Sequence, residues 1–170
     1  MDLQEQVAYL IRDGRAVLST PIATGRYGHL TDTGSFKVIE KERSHFSTLY
    51  GKIVDGSGNT LVSDADADMP VPRGGKFVPA SMRYFIRFYA STGMHAGYLP
   101  GYPASHGCVR LPEENAIAFF NAVEVGTPVT VFGKTPRRRS MAQANLRTSP
   151  RVTTRLASPR TDPRLPWARW

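Results

Sequence analysis

One stretch of this 170-residue chain concentrates the reactive side chains: His95-Ala-Gly-Tyr-Leu-Pro-Gly-Tyr-Pro-Ala-Ser-His106-Gly-Cys108-Val-Arg110-Leu-Pro. It holds the only cysteine and two of the four histidines. A thiol with a pKa near 8.5 is only a few per cent thiolate at neutral pH, so it needs a base or a positive field to become a useful nucleophile. An adjacent imidazole can take the proton and leave a thiolate–imidazolium pair. Gly107 lets the backbone turn tightly and lets a substrate approach Cys108 closely. The backbone N–H groups of Gly107 and Cys108 are candidate donors to the oxyanion of an acyl-transfer intermediate. A helix starting downstream would favour negative charge on sulfur, but only modestly, because Cys108 lies four residues before Pro112.

Blander readings compete. A lone cysteine is often a small buried hydrophobe, and a lone histidine is often structural. Gly107, Ser105 and two histidines are poor company for a core thiol, which favours nucleophilic chemistry. His95, His106 and Cys108 are also three potential zinc ligands. A structural site needs a fourth ligand, and no further histidine or cysteine lies in this stretch. No metal and no cofactor are therefore expected. In papain-like and cell-wall Cys–His peptidases the cysteine precedes its histidine; here both histidines come first.

The elements that must position these groups are mostly strands. Residues 7–11 and 15–23 are β-prone and flank Asp13-Gly14, a dipeptide favoured in type I′ hairpin turns. Residues 24–34 read as a loop and residues 35–42 as a strand with Phe36 and Val38 on one face. Residues 50–62 read as a hairpin turning in 55–59. Residues 63–75, acidic and then rich in Pro and Gly, read as a long loop. Residues 83–89 and 128–132 read as strands. The reactive stretch follows the 83–89 strand as a loop and ends at a helix. Pro112 suits the first helical position, Glu113 and Glu114 suit the positive end of the dipole, and Ala116, Ile117, Phe120 and Val123 make one buried face ending at Gly126. The aromatic run Tyr84, Phe85, Phe88, Tyr89 reads as core and sheet surface. The predicted class is mainly β (α+β) with one main helix.

Charge divides the chain. The formal net charge is +8, yet residues 134–170 hold ten basic residues against one acid, and residues 1–133 hold twelve against thirteen. The basic segment is rich in Pro, Ser, Thr and Arg without an apolar period, and is expected to be a disordered tail. The folded domain would then be residues 1–133, with an upstream piece of its first strand expected to be missing. The tail suits an anionic wall polymer or a membrane surface, through salt-sensitive attraction. With the folded part near neutral, nucleic acid is not the expected partner. No stretch reaches the ~18 apolar residues of a membrane helix, and no three-part signal peptide is visible.

These residues resemble the L,D-transpeptidase catalytic domain, or YkuD, family. Its signature is a histidine, a loop, and then Ser/Thr-His-Gly-Cys followed by a hydrophobic residue and Arg or Asn. Met94-His95-Ala96-Gly97 and Ser105-His106-Gly107-Cys108-Val109-Arg110 match both ends, in the form of a subgroup with a Leu-Pro-Gly-Tyr-Pro-Ala loop. Thr24-Gly25 and Thr31-Asp32-Thr33-Gly34-Ser35-Phe36 are similar to an upstream motif, with Asp32 where the family usually has proline. Arg83 stands where the subgroup often has proline. The resemblance implies a YkuD-like β-sandwich or mixed sheets, and a monomeric enzyme of the cell envelope acting on peptidoglycan stem peptides as donor and acceptor.

The resemblance also implies roles. Cys108 would attack the carbonyl before the terminal D-Ala of a tetrapeptide stem, giving a thioester that an amine resolves. His95 would be the base, oriented by the carbonyl of Ala96. His106 would shape the site and Ser105 would support the loop. Arg110 would bind a substrate carboxylate, or else simply pair with Glu113 or Glu114 at the surface. Tyr98 and Tyr102 would line the cleft. No chemical role is assigned to His29, expected to be exposed, or to His45. Two other activities stay open at this point: an L,D-carboxypeptidase in which water replaces the amine, and a wall- or nucleic-acid-binding module that uses the tail.

Overall fold

The computed structural model describes residues 1–137. Of the segment expected to be a tail, 134–137 carry no helix or strand, and the rest lies outside the described residues.

Turn chemistry sets the hairpins. β1 (Val7–Arg12) and β2 (Arg15–Pro21) pair antiparallel with Arg12 opposite Arg15. Asp13 (φ 51°) and Gly14 (φ 72°) supply the two positive φ values of a type I′ turn. After β3 (Gly34–Lys37) the chain changes sheet: the Val38 N–H donates to the Thr127 carbonyl (2.9 Å) and the Ile39 N–H to the Arg87 carbonyl (2.8 Å). The strand expected over 35–42 is therefore two strands, the second being β4 (Glu40–Val54). β4 turns into β5 (Thr60–Asp66), where the Asp55 carboxylate accepts the N–H groups of Ser57 (2.8 Å) and Asn59 (2.9 Å). The hairpin is as expected, but β5 runs on to Asp66, into the segment expected to be loop. Its acidic residues stand on an edge strand, where charge is tolerated.

β6 (Lys76–Tyr89) is twice the length expected. Its Pro79 sits opposite Gly51, at the point where pairing with β4 jumps from Phe46–Ser81 to Gly51–Pro79. The missing proline N–H thus falls where the ladder is already broken. β7 (Thr92–Ala96) is antiparallel to β6, and β8 (Val109–Leu111) is parallel to β7. The helix α1 (Glu113–Ala122) follows, and then β9 (Pro128–Val131) pairs with β3. The large sheet has the order β5-β4-β6-β7-β8. Among the described residues the protein is mainly β with one α-helix, the class predicted.

The helix departs from expectation at both ends. Pro112 is the N-cap rather than the first helical residue, with ψ 145° and its carbonyl accepting the Ala116 N–H (2.9 Å). The helix stops at Ala122, because Val123 is already extended, and Gly126 belongs to the turn into β9. The buried face is Ala116, Phe119 and Phe120, followed by Val123; Ile117 is only half-buried.

Alternation along β6, β7 and β8 then separates core from cleft. Ile86, Phe88, Met94, Ala96, Val109 and Leu111 face α1 and the smaller sheets, in one apolar core with Leu3, Ala8, Ile22, Val38 and Val131. Their neighbours Phe85, Arg87, Gly93, His95, Cys108 and Arg110 face the other way.

Candidate active site

His95 lies within β7 rather than in a loop after a strand, and Cys108 immediately precedes β8, a short strand not expected between it and the helix. The parallel register places His95 opposite Arg110. Cys108 is two residues before Arg110 on the same face, so its Cα is about 8 Å from that of His95, given the spacing of adjacent strands and the rise along them. Two strands of one rigid sheet thus fix the thiol, the imidazole and the guanidinium relative to one another. They share a cavity of about 580 Å³ with Ser105, His106, Ala96 and Tyr98.

The His95 ring is held by its own backbone. Nδ1–H donates to the Ala96 carbonyl oxygen (2.8 Å), the group the resemblance singled out, and this leaves the Nε2 lone pair available. Burial lowers the His95 pKa to about 4, against the opposing effect of that hydrogen bond, so the ring is neutral at pH 7. The Cys108 thiol moves the other way. Burial raises its pKa, opposed by the Gly93 N–H and the charges of Arg110 and Arg87. The thiol donates to the Ser91 carbonyl (3.8 Å) rather than to His95. The resting site is therefore a neutral thiol beside a neutral imidazole, not the thiolate–imidazolium pair that the sequence suggested. A nucleophilic role for this thiol would require its proton to pass to His95 as the sulfur attacks.

The loop before Cys108 is tied at three points. The Ser105 hydroxyl donates to the Cys108 carbonyl. The Gly107 N–H donates to Ser105 Oγ (3.2 Å), and Thr31 Oγ1 donates to the Gly107 carbonyl (2.7 Å). Gly107 has φ 117°, a conformation in which a side chain would be strained. Since its N–H is already bonded to Ser105, Gly107 is not a free oxyanion donor in this state. The upstream motif contributes further, as Ala104 and Ser105 both donate their N–H groups to the Thr24 carbonyl (2.9 and 3.1 Å).

His106 is committed elsewhere. Arg26 Nη2 is 2.7 Å from its Nε2, Asp64 Oδ1 is 3.2 Å from the same nitrogen, and Arg26 also pairs with Asp64 (3.1 Å). Arginine only donates and the carboxylate only accepts, so a neutral ring uses Nε2 either to accept from Arg26 or, in the other tautomer, to donate to Asp64, and that nitrogen cannot serve both at once. Burial lowers its pKa, with Asp64 opposing and Arg26 and His29 adding to the effect. Tyr50 stacks on the ring (4.1 Å between centroids, 18°) and His29 meets it edge-on (4.8 Å). His29 is thus half-buried, not exposed as expected. Stacked on by Tyr50, met edge-on by His29 and held at Nε2, His106 is a wall of the cleft rather than a mobile base.

Arg110 does not pair with Glu113, whose partner is Arg83 across the surface. Its stem lies on Gly97, 3.1 Å from where a Cβ would stand, and its head lines the cavity. Tyr98 stands at the rim, 79% exposed. Tyr102 lines a different hollow with Arg26, Tyr27, Leu30 and Asp64, so the structure does not bring it to the cavity of Cys108.

The sequence placed Phe85 in the core, and it is buried, 1% exposed. What sequence reasoning missed is the company it keeps: His45 stacks on it (4.2 Å, 9°), the His95 ring lies 6.5 Å away and the Arg87 guanidinium 5.4 Å. Gly93 lets the ring pack against β7, since a Cβ there would lie 2.4 Å from it. The alternation of Phe85 and Arg87 against Ile86 and Phe88 was the available signal. Among the described residues no group of three His, Cys, Asp or Glu side chains could hold a metal ion.

Comparison with known proteins agrees with this geometry. The L,D-transpeptidase catalytic domain family, YkuD, matches residues 1–131. A probable L,D-transpeptidase 3 of Mycobacterium tuberculosis is 31% identical over 120 residues, covering 65% of this chain and 37% of that protein. The chain spans less than half the length of the curated relatives it matches. An L,D-transpeptidase structure from Stackebrandtia nassauensis shares the fold, with TM-score 0.58, 23% identity, and 79% of this chain and 54% of that one covered. The catalytic domain of an E. faecium L,D-transpeptidase, solved acylated by ertapenem, has TM-score 0.51 and 25% identity over 77% of this chain and 92% of that one. With a family match that spans the whole described sheet system and a cysteine, histidine and loop placed as above, the chain belongs to the YkuD family of L,D-transpeptidase catalytic domains.

Proposed function

We propose that this chain is a peptidoglycan L,D-transpeptidase. The observation that carries the reading is the juxtaposition of Cys108 and His95 on one face of a parallel strand pair, in a cavity large enough for a peptide. Cys108 Sγ attacks the carbonyl before the terminal D-Ala of a tetrapeptide stem while His95 Nε2 takes the thiol proton. The tetrahedral intermediate collapses, the proton passes to the leaving amine, and D-Ala departs. A thioester on Cys108 remains. An amine of a second stem attacks it, forming the cross-link and restoring the thiol. Ala96 keeps His95 in the tautomer this requires. Ser105 and Gly107 hold Cys108 in register, and Arg110 offers a two-pronged contact to a substrate carboxylate. Tyr98 borders the donor path.

The substrate class places the enzyme in the cell envelope, and no helix among the described residues is long and apolar enough to cross a membrane. The basic tail supplies attraction to an anionic wall polymer or membrane surface.

Mass spectrometry of a disaccharide-tetrapeptide incubated with the protein tests the reading. Cross-linked dimer lacking one D-Ala is expected, and none with Cys108→Ala. Trimmed tripeptide alone would make it a carboxypeptidase, and turnover that persists in Cys108→Ala would remove the thiol from the mechanism.

A further inference from the structure

A third histidine lines the cleft beside His95 and His106, without a part in the chemistry above. His45, on β4, lines the cavity of Cys108 and lies flat on Phe85, the same ring that His95 approaches from β7. Its Nδ1 is 3.0 Å from Glu42 Oε1. A carboxylate only accepts, so Nδ1 carries the hydrogen and the Nε2 lone pair lies on the ring edge away from Glu42. Glu42 and His45 are three residues apart, and simple alternation would put them on opposite faces of β4. Their pairing spans the stretch opposite Tyr84, which has a positive φ of 57° inside β6. The backbone departs from regular pleating at the point where these two side chains need to meet.

The acceptor half-reaction has a proton that nothing else takes. An aliphatic amine with a pKa near that of lysine, about 10.4, is an ammonium at neutral pH and cannot attack a thioester until it is deprotonated. His95 is a poor place to leave that proton, since burial holds its pKa to about 4. His45 has a carboxylate behind it and a side chain 18% exposed, so it has both a stabilising partner and a way out to solvent. The other charged or titratable groups around Phe85 are His95 on β7 and Arg87 on β6, the latter paired with Glu40.

We propose that His45 is a catalytic base of the acceptor step and that Glu42 is its positioning residue. This rests on the transpeptidase reading. The ammonium gives one proton to His45 Nε2. The free amine attacks the thioester carbonyl, forming the C–N bond. The C–S bond breaks, one of the two hydrogens on the new nitrogen passes as a proton through His95 to Cys108 Sγ, and the other stays as the amide N–H. His45 then releases its proton to solvent.

The test separates the two half-reactions in the full chain at pH 7. Release of D-Ala and the mass of the Cys108 thioester report acylation; dimer formation reports transfer. His45→Phe keeps a ring on Phe85 and removes both nitrogens. It is expected to slow transfer to the diamino-acid stem about 10²-fold, the usual weight of a general base, while acylation changes only a few-fold. Glu42→Gln is expected to slow transfer about tenfold. With hydroxylamine as acceptor, already unprotonated at pH 7, wild type and His45→Phe should resolve the thioester at rates within threefold. Transfer to the stem by His45→Phe within twofold of wild type would overturn the proposal. So would an equal loss with hydroxylamine, which would make the ring a structural support. Absence of any thioester in the wild type would bring down the transpeptidase reading and the proposal with it.

Discussion

The two faces of β6, β7 and β8 are one residue apart in sequence and opposite in chemistry. On one face Ile86, Phe88, Met94, Val109 and Leu111 are almost completely buried in an apolar core. On the other, Phe85 carries two imidazoles and a guanidinium, and Cys108 sits between charges and backbone dipoles. The same strands supply both. What differs is what each side chain is asked to do: the core face lowers free energy by burial, and the cleft face carries ionisable groups at protonation states water would not give them. Rigidity made on the first face fixes distances on the second.

The largest expected effect breaks the core face. Phe88 is 2% exposed, and Phe88→Ala should cost about 3–5 kcal/mol of unfolding free energy. Cys108→Ala on the cleft face should change stability by less than about 1 kcal/mol while abolishing activity. Urea unfolding of both variants checks this, and equal losses would erase the distinction.

The cleft face should instead show itself in pH. His95 has a folded pKa of about 4 against 6.5 unfolded. Below pH 6.5 the unfolded chain binds a proton that the folded chain refuses, so stability is present above that pH and is lost as pH falls towards 4. The loss is on the order of 3 kcal/mol. Unfolding curves at pH 7 and pH 4 should show it in wild type, and His95→Asn should show that much less. The same slope in both would deny that His95 is buried neutral.

How much of this was legible in the sequence follows the same division. The core face was read from local pattern: the Asp13-Gly14 turn, the Asp55 hairpin and the apolar face of α1 are each a matter of a few adjacent residues. The reactive motif was legible because it is one contiguous stretch. What could not be read is non-local. Arg26 and Asp64 reach His106 across the fold, and nothing near His106 announces them. The half of β6 before residue 83 was not read as strand, and its Pro79 fits one only because the missing N–H falls opposite an interruption in β4. Val38 and Ile39 look like one strand because the switch between sheets is made by backbone partners far along the chain. The ionisable company of the buried Phe85 was not legible either, because His45 and His95 reach its ring from two other strands.

A smaller effect sharpens the comparison further. Burial raises the Cys108 pKa above the ordinary thiol range. Its alkylation by iodoacetamide should therefore rise about tenfold per pH unit from pH 6 to pH 9 with no plateau. A rate flat across that range would mean a preformed thiolate and a cleft far more polar than the one described.

The most direct test of the central claim, that Cys108 is the acylated nucleophile and His95 its base, is intact-protein and peptide mass spectrometry after incubation with ertapenem. The account predicts a single adduct on the Cys108 peptide, none in Cys108→Ala, and formation slowed at least about 10²-fold in His95→Asn. An adduct on another residue, or one that forms as fast without His95, would contradict it.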